Sequence, residues 1–353
     1  MPIFAADDLR TMTEHVFEAA GFPANKAQLI ARLMVEANLV GHDSHGVRHI
    51  PIYVSRIRDG LIRPDAEPRI VEETATTAVV DGEGTLGHVA ATFGLELAIE
   101  KARQSRISAV AVHNEEHVGR VGGYPEMAAR AGMVGITLCN AQGRGVSIAP
   151  FGGTDRRMGA NPFTAAFPNP SGDPILLDMS TSAVAINKVR QAKDREAALP
   201  EGAILGPDGH PSTDPDDFLK HGGAALPLGG LLYGHKGFGL AVIIDLFCGV
   251  LGGSGTALNQ HETRLNNGTF HIVLDPGAFI ESQQYADEVK AYADYLHASP
   301  TLPGNPPVKL PGEFEEHNRK TRGADGISVE EPVWRNIVET LERLNVPSPA
   351  PIA

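Results

Sequence analysis

The chain has 353 residues, 42% hydrophobic and 21% charged, enough for a sizeable core and for two domains. Its 30 basic and 43 acidic residues give a net charge of -13 with no basic block, which argues against nucleic acid as a partner and makes any anionic substrate depend on a local positive pocket. Cys139 and Cys248 both lie in apolar runs and read as buried free thiols of a cytoplasmic protein, and the N-terminus shows no charged-then-apolar export pattern.

In chain order, the first 60 residues read as helices. Asp7 or Asp8 can cap the first, and Gly21-Phe22-Pro23 separates it from the second. The second has Leu29, Ile30, Leu33, Met34 and Ala37 at helical spacing and stops at Gly41. Then comes Gly41-His42-Asp43-Ser44-His45-Gly46-Val47-Arg48-His49, the most polar and titratable stretch of the chain. A third helix is expected from about Gly46 to Asp59, with Asp43 or Ser44 as N-cap. Ser44, His45 and Arg48 would then share its first turn, where free N–H groups, the dipole and a guanidinium suit a carboxylate. His45 adds a group able to move a proton near neutral pH. The same histidines offer metal ligands, His45 and His49 at i, i+4, but no cysteine pair or H-E-x-x-H accompanies them.

From about residue 67 the pattern changes to strands alternating with helices. Strands are expected at Thr76 to Val80, Ile107 to Val112, Val134 to Cys139, Phe163 to Phe167, Ile175 to Asp178 and Thr269 to Leu274. Helices are expected at His88 to Arg103, Tyr124 to Ala131, Ala183 to Ala192, Ala278 to Ala298 and Glu330 to Leu344. Residues 200–230 read as a long surface loop, Phe238 to Leu251 as a buried helix too short to span a membrane, and Pro303 to Pro311 as extended.

Two glycine motifs mislead. Gly82-Glu83-Gly84-Thr85-Leu86-Gly87 matches G-x-G-x-x-G, but Asp81 and Glu83 put negative charge where a pyrophosphate would lie. Gly234-His235-Lys236-Gly237 lacks the P-loop spacer and the hydroxyl after the lysine, although Lys236 remains a candidate for a phosphate or carboxylate. His117, beside Gly119, Gly122 and Gly123, follows the end of a strand, where catalytic groups often sit. Asp178-Met179-Ser180-Thr181 ends another and can present a carboxylate and hydroxyls.

Taken together, the segments D-S-H-G-V-R (43–48), H-V-G (117–119), A-P-F-G-G (149–153), G-A-N-P (159–162), L-D-M-S-T (177–181), P-D-G-H-P-S-T-D-P (207–215), G-H-K-G-F-G-L (234–240) and P-G-E (311–313) occur in that order along nearly the whole chain. The set resembles the type 2 malate/L-lactate dehydrogenase family of NAD(P)-dependent oxidoreductases, which also includes ureidoglycolate, sulfolactate and diketogulonate dehydrogenases and a cyclic-imine reductase. The resemblance implies an α/β (α+β), non-Rossmann fold. A mostly antiparallel mixed sheet at 67–284 would bind NAD or NADP, and a helical domain of 1–66 and 285–353 would serve dimerisation and the substrate pocket. It implies a homodimer with a small carboxylate-bearing substrate and no membrane partner. It also implies that His117 accepts the substrate's proton and that Ser44, His45 and Arg48 line the substrate pocket. Asp178, Met179, Ser180, Lys236, Gly312, Glu313 and Phe314 fall at cofactor-contacting positions. Where relatives often carry a serine after the strand ending at Cys139, this chain has Asn140-Ala141-Gln142, followed by an unassigned cation, Arg144. The expected reaction is hydride transfer between nicotinamide and a small 2-hydroxy acid. The competing readings are a cyclic-imine or keto-acid reductase on the same fold and a metal-dependent hydrolase.

Overall fold

The computed structural model describes residues 1–259 and 266–353, with the side chains of Arg144, Asp194 and Asn259 outside the described set. At its centre is a seven-stranded sheet in the order Arg69–Glu73, Thr77–Asp81, Ile107–Glu115, Asn267–Leu274, Val134–Ala141, Phe163–Phe167, Ile175–Met179. Among the described residues, Thr77–Asp81 and Ile107–Glu115 form its one parallel pair; the other neighbours are antiparallel. The mixed, mostly antiparallel sheet expected from the sequence is therefore present, and a doubly wound parallel sheet is not.

Helix Gly87–Ser105 makes the crossover between the two parallel strands. Its Ala90, Ala91, Leu95, Ala98 and Ala102 pack with Val80, Val110 and Val112 of the sheet. Small residues on that face let helix and sheet approach closely; a Cβ at Gly94 would lie 2.4 Å from Val112. The G-x-G-x-x-G string is the turn that launches this helix. Glu83 and Gly84 adopt positive φ, and Asp81 accepts the Glu83 amide at 2.8 Å. At Gly87 a Cβ would meet the Glu116 carbonyl at 2.2 Å, so that glycine serves close backbone packing.

A second core joins the two chain ends. Phe4, Leu9, Val16 and Phe17 pack with Ile30, Met34 and Tyr53, and with Ile327, Ile337 and Leu341 from the C-terminal segment. A two-stranded ladder, Ile3–Phe4 with Ile327–Ser328, fastens the ends together.

Four expectations need correction. Asp7 and Asp8 do not cap the first helix, Ala6–Ala19, but lie within its first turn, after an Ala5 cap that makes no side-chain bond. Asp43 and Ser44 do not cap a continuous helix. Short 3-10 turns cover Asp43–His45 and Val47–His49, and the α-helix begins at Ile50. The Asp43 carboxylate is taken instead by Asn38 at 2.7 Å and by Arg322 at 2.7 and 3.0 Å. The helix expected at Phe238–Leu251 starts earlier, at Gly230, and ends in a π-turn at Leu246–Leu251, so it is long and apolar enough to cross a membrane by length and composition. It is not buried all round. Ala241, Ile244 and Cys248 pack inward, while Leu232, Ile243, Leu246 and Val250 are exposed. Residues 200–230 are not a plain loop. They hold a small sheet, Ala224–Ala225, Ile204–Leu205 and Pro211–Ser212, and a short helix capped by Asp214. Strand Arg69–Glu73 and helix Glu313–Asp325 escape a sequence reading, because all five strand residues are exposed and the helix has no buried residue to set a period.

Candidate functional site

The polar turn after helix Ala24–Leu39 meets the end of strand Ile107–Glu115 and forms a compact group of rings. Its 3-10 geometry puts His45 and His49 on one side. The two residues stack with each other at 6.2 Å and with His117 at 5.6 and 5.0 Å between centroids. The His45 and His117 rings are nearly parallel, at 7°. Ser44 Oγ lies 2.8 Å from His45 Nδ1. The His49 Nε2–H donates to the Ser44 carbonyl at 2.7 Å, which leaves His49 Nδ1 buried without a hydrogen-bond partner. Behind His117, the Tyr53 hydroxyl sits 2.5 Å from Nδ1, and the Gly119 N–H points at the same nitrogen at 3.3 Å. His88 meets the Tyr53 ring edge-on at 5.9 Å, and neither of its ring nitrogens has a hydrogen-bond partner.

This group is uncharged. Burial lowers His45 and His88 to about 3 and His49 to about 4. Burial and the neighbouring histidines hold His117 well below its ordinary value. Burial also raises Tyr53 well above the usual phenol. All four imidazoles are neutral at physiological pH, so each can accept a proton, or donate a hydrogen bond through its one N–H, without first shedding a charge. The Arg56–Glu116 ion pair, at 2.6 Å with Glu116 fully buried, closes the cluster from below. On the rim, Arg48 is partly exposed and makes no ion pair among the described residues. The Asn187 amide reaches the Ser44 carbonyl at 3.5 Å from helix Ile186–Asp194.

The structure brings Ser44, His45 and His117 together, with Arg48 on the adjoining turn, near enough to His49 to lower its proton affinity. His49, singled out in the sequence only as a metal-ligand candidate beside His45, belongs to the same stack, and His42 lies at its edge. His42 Nδ1 is 3.7 Å from Asp178 Oδ2, and its Nε2 is 3.4 Å from Glu315. Asp178 also accepts from Arg120 Nε at 3.2 Å. Arg120 is buried, donates its Nη1 to Glu126 at 3.1 Å and leaves Nη2 without a partner. Gly122 permits the approach, since a Cβ there would lie 2.3 Å from Asp178 Oδ2. Gly312 stands beside the same strand: its neighbour Pro311 accepts the Leu176 amide at 3.0 Å, and Gly312 itself has φ +95° at the start of helix Glu313–Asp325. The Glu313 carboxylate accepts the Leu310 amide at 2.9 Å and contacts His297 at 2.9 Å, while Phe314 is 60% exposed beneath Lys309. Met179 ends the strand opposite Phe163, and the Ser180 hydroxyl donates to the Ala160 carbonyl at 3.1 Å.

Lys236 is not drawn into this group. It is exposed on helix Gly230–Asp245, with its ammonium 5.5 Å above the Tyr233 ring. Asn140 is a structural knot: its amide donates to Asp245 and Gly255, and its carbonyl oxygen accepts from Ser254 and Gly268. Arg144's side chain lies outside the described residues. Tyr53, His88, Arg56 and Arg120 were invisible as site residues in the sequence. Tyr53 is four residues after His49, a helical repeat that could have marked it, whereas Arg120 has no such pattern.

Residues 4–338 match the model of a family described as malate/L-lactate dehydrogenase. An L-lactate dehydrogenase of Cupriavidus necator is 36% identical over 344 residues, spanning 96% of this chain and 97% of its own. The malate dehydrogenase structure of Pyrococcus horikoshii superposes with a TM-score of 0.90 at 30% identity, covering 99% of this chain and 97% of its own. A delta1-piperideine-2-carboxylate reductase structure from Pseudomonas syringae superposes with a TM-score of 0.82 at 26% identity, covering 96% of this chain and all of its own.

Proposed function

The chain belongs to the malate/L-lactate dehydrogenase family, and from that premise we propose that it exchanges a hydride between a nicotinamide cofactor, NAD or NADP, and a small 2-hydroxy or 2-keto acid at the histidine stack. As a member of the family it is a dehydrogenase acting on the CH–OH group of hydroxy acids. The observation that carries the site assignment is the parallel pairing of neutral His45 and His117 beside an unpaired Arg48. Arg48 holds the substrate carboxylate in a fork. His117 handles the proton of the reacting oxygen, and His45, oriented by Ser44, hydrogen-bonds the carboxylate or the developing carbonyl.

The residues beside the stack fit a nicotinamide cofactor. Asp178 offers a carboxylate to hydroxyl or amide donors, and the unpartnered Arg120 Nη2 offers a buried donor to a carbonyl or phosphate oxygen. Gly122, Met179, Ser180 and Gly312 to Phe314 complete that wall, and Lys236, exposed on its own helix, is a further candidate contact for the cofactor. When bound, the nicotinamide supplies the two-electron partner for the substrate carbon. The likeness to an imine reductase supports a second reading, reduction of a cyclic imine on the same residues.

The reading includes a cytoplasmic location and a homodimer, the dimer supported by the apolar side chains that helix Gly230–Leu251 leaves exposed and by helix Ser282–His297, which buries no residue. It also includes the domain division 1–66 with 285–353 and 67–284. A screen of hydroxy acids, keto acids, and keto acids with amines against NAD(H) and NADP(H), read by absorbance of the reduced nicotinamide, tests the activity. Turnover of hydroxy or keto acids supports it; turnover of imines alone favours the second reading. Sedimentation of the wild type and of Leu232→Asp tests the dimer, and a wild-type monomer rules it out.

A further inference from the structure

Tyr53 has no role in the reaction so far described, yet its hydroxyl makes the shortest contact in the histidine stack, 2.5 Å to His117 Nδ1. The ring of Tyr53 is fully buried and wedged between the His49 face, at 5.2 Å, and the edge of His88, at 5.9 Å, so the hydroxyl has one place to be. The second group on Nδ1 is the Gly119 N–H, at 3.3 Å. An amide N–H only donates, so in this arrangement Nδ1 must be an acceptor. A neutral imidazole with an accepting Nδ1 carries its proton on Nε2. The backbone cannot yield at this point: Gly119 has φ +70°, and a Cβ there would lie 2.3 Å from His88 Nε2.

We propose that Tyr53 is a positioning residue that, together with the Gly119 amide, holds His117 in its Nε2–H tautomer, so that the resting site presents a donor to the substrate oxygen. That is the hydrogen bond a 2-keto acid needs for its carbonyl to be polarised toward hydride. Oxidation of the hydroxy acid needs the other tautomer, with a free lone pair on Nε2 and the proton on Nδ1. The Gly119 amide cannot accept that proton's hydrogen bond, but the Tyr53 oxygen can, because a hydroxyl both donates and accepts. Tyr53 is thus the one neighbour on Nδ1 compatible with both tautomers. A phenylalanine would fill the same space and serve neither.

The inference rests on the assignment of His117 to the reacting oxygen, but its main test does not depend on turnover. Imidazole 15N NMR of the full chain labelled at histidine distinguishes a protonated from an unprotonated ring nitrogen, and His117→Gln identifies the signal by deletion. The wild type is expected to show Nε2 protonated and Nδ1 unprotonated at pH 7. In Tyr53→Phe the His117 signals are expected to move toward a mixture of tautomers. With the substrate found by the screen, kcat is expected to fall at least tenfold, with KM for the acid and the cofactor dissociation constant changed less than threefold. A wild-type His117 protonated on Nδ1 overturns the proposal, and so does a Tyr53→Phe enzyme with unchanged tautomer and unchanged kcat. A folded protein with the expected tautomer but no turnover of any hydroxy or keto acid would instead remove the functional reading and leave the tautomer assignment standing.

Discussion

Two polar regions lie side by side in this molecule and are built on opposite principles. The histidine stack of His45, His49, His88 and His117 is uncharged, and its polar contacts run between neutral groups. The seam next to it is fully charged. Glu126, itself nearly buried, takes guanidinium groups from Arg120 at 3.1 Å, Arg130 at 2.8 Å and Arg319 at 2.6 Å, and Arg319 goes on to Glu36 at 2.6 Å and to Glu316. The seam thereby ties helices Ala24–Leu39, Gly123–Arg130 and Glu313–Asp325 together. Neutral rings suit a place where a proton must change hands, whereas charges that satisfy one another suit a place that must not move. Asp178 and His42 stand where the two regions touch.

Acid should separate the regions most strongly. The four histidines have folded pKa values below the 6.5 of a free imidazole, so the unfolded chain binds more protons than the folded one as pH drops below that value. Their stabilisation is complete above pH 6.5 and is lost as pH falls toward 4, by up to roughly 1.4 kcal/mol per pH unit for each ring. In Glu126, burial pushes the carboxyl up, but Arg120, Arg319 and Arg130 outweigh it and hold it below 4.5, so the seam keeps its contribution until the pH is lower still. Urea unfolding between pH 7.5 and 5 should therefore show a loss of several kcal/mol. A flat profile over that interval would mean that the rings are solvated, and the contrast between the two regions would disappear.

Within the stack, His117→Ala should lower kcat about 10³-fold, the scale of a lost general acid–base group, with cofactor affinity changed less than threefold by fluorescence titration. Near wild-type turnover would move the proton chemistry to His45. Within the seam, Arg120→Met should leave Glu126 and Asp178 short of one buried cation, costing about 3 kcal/mol in unfolding free energy and weakening cofactor binding together. Loss of cofactor affinity at full stability would make Arg120 a binding residue alone, and a change below 1 kcal/mol with unaltered affinity would show that the seam does not depend on it.

How much of this was legible beforehand follows from where each signal sits in the chain. The strands announced themselves through β-branched runs such as Thr77–Asp81 and Ile107–Glu115, and their ends were misjudged by no more than three residues. Ser44, His45 and Arg48 could be grouped because they are neighbours in sequence, even though the turn holding them proved to be 3-10 rather than α. Tyr53 and His117 are separated by 64 positions, and no local pattern predicts that their side chains meet. The same is true of Arg120 with Asp178, 58 positions apart, and of Asn140, whose partners come from a helix and loops more than 100 residues away. Periodicity reads faces of single elements; it cannot read the tertiary pairing that turns a phenol or a guanidinium into part of a site. The exposed face of helix Gly230–Leu251 failed for a related reason, since an unbroken apolar run looks the same whether it packs inside one chain or against a second.

The smallest expected effect is also the sharpest test of the boundary between chemistry and architecture. Arg48 lies on the rim of the neutral stack, yet unlike every guanidinium of the seam it has no carboxylate partner among the described residues. A structural arginine this close to buried rings would be expected to have one, because an unpaired cation beside neutral histidines lowers their proton affinity, as Arg48 does for His49, without a compensating bond. On the proposed function, the substrate's carboxylate would fill that place. Arg48→Lys keeps the charge but loses the planar fork, so KM for the acid should rise about tenfold while kcat stays within threefold and the urea midpoint does not move. A shift in the midpoint with unchanged KM would place Arg48 with the seam, as one more residue that holds the fold. A raised KM at constant stability would place the substrate's anion on the neutral side of the boundary, directly above the proton-bearing rings.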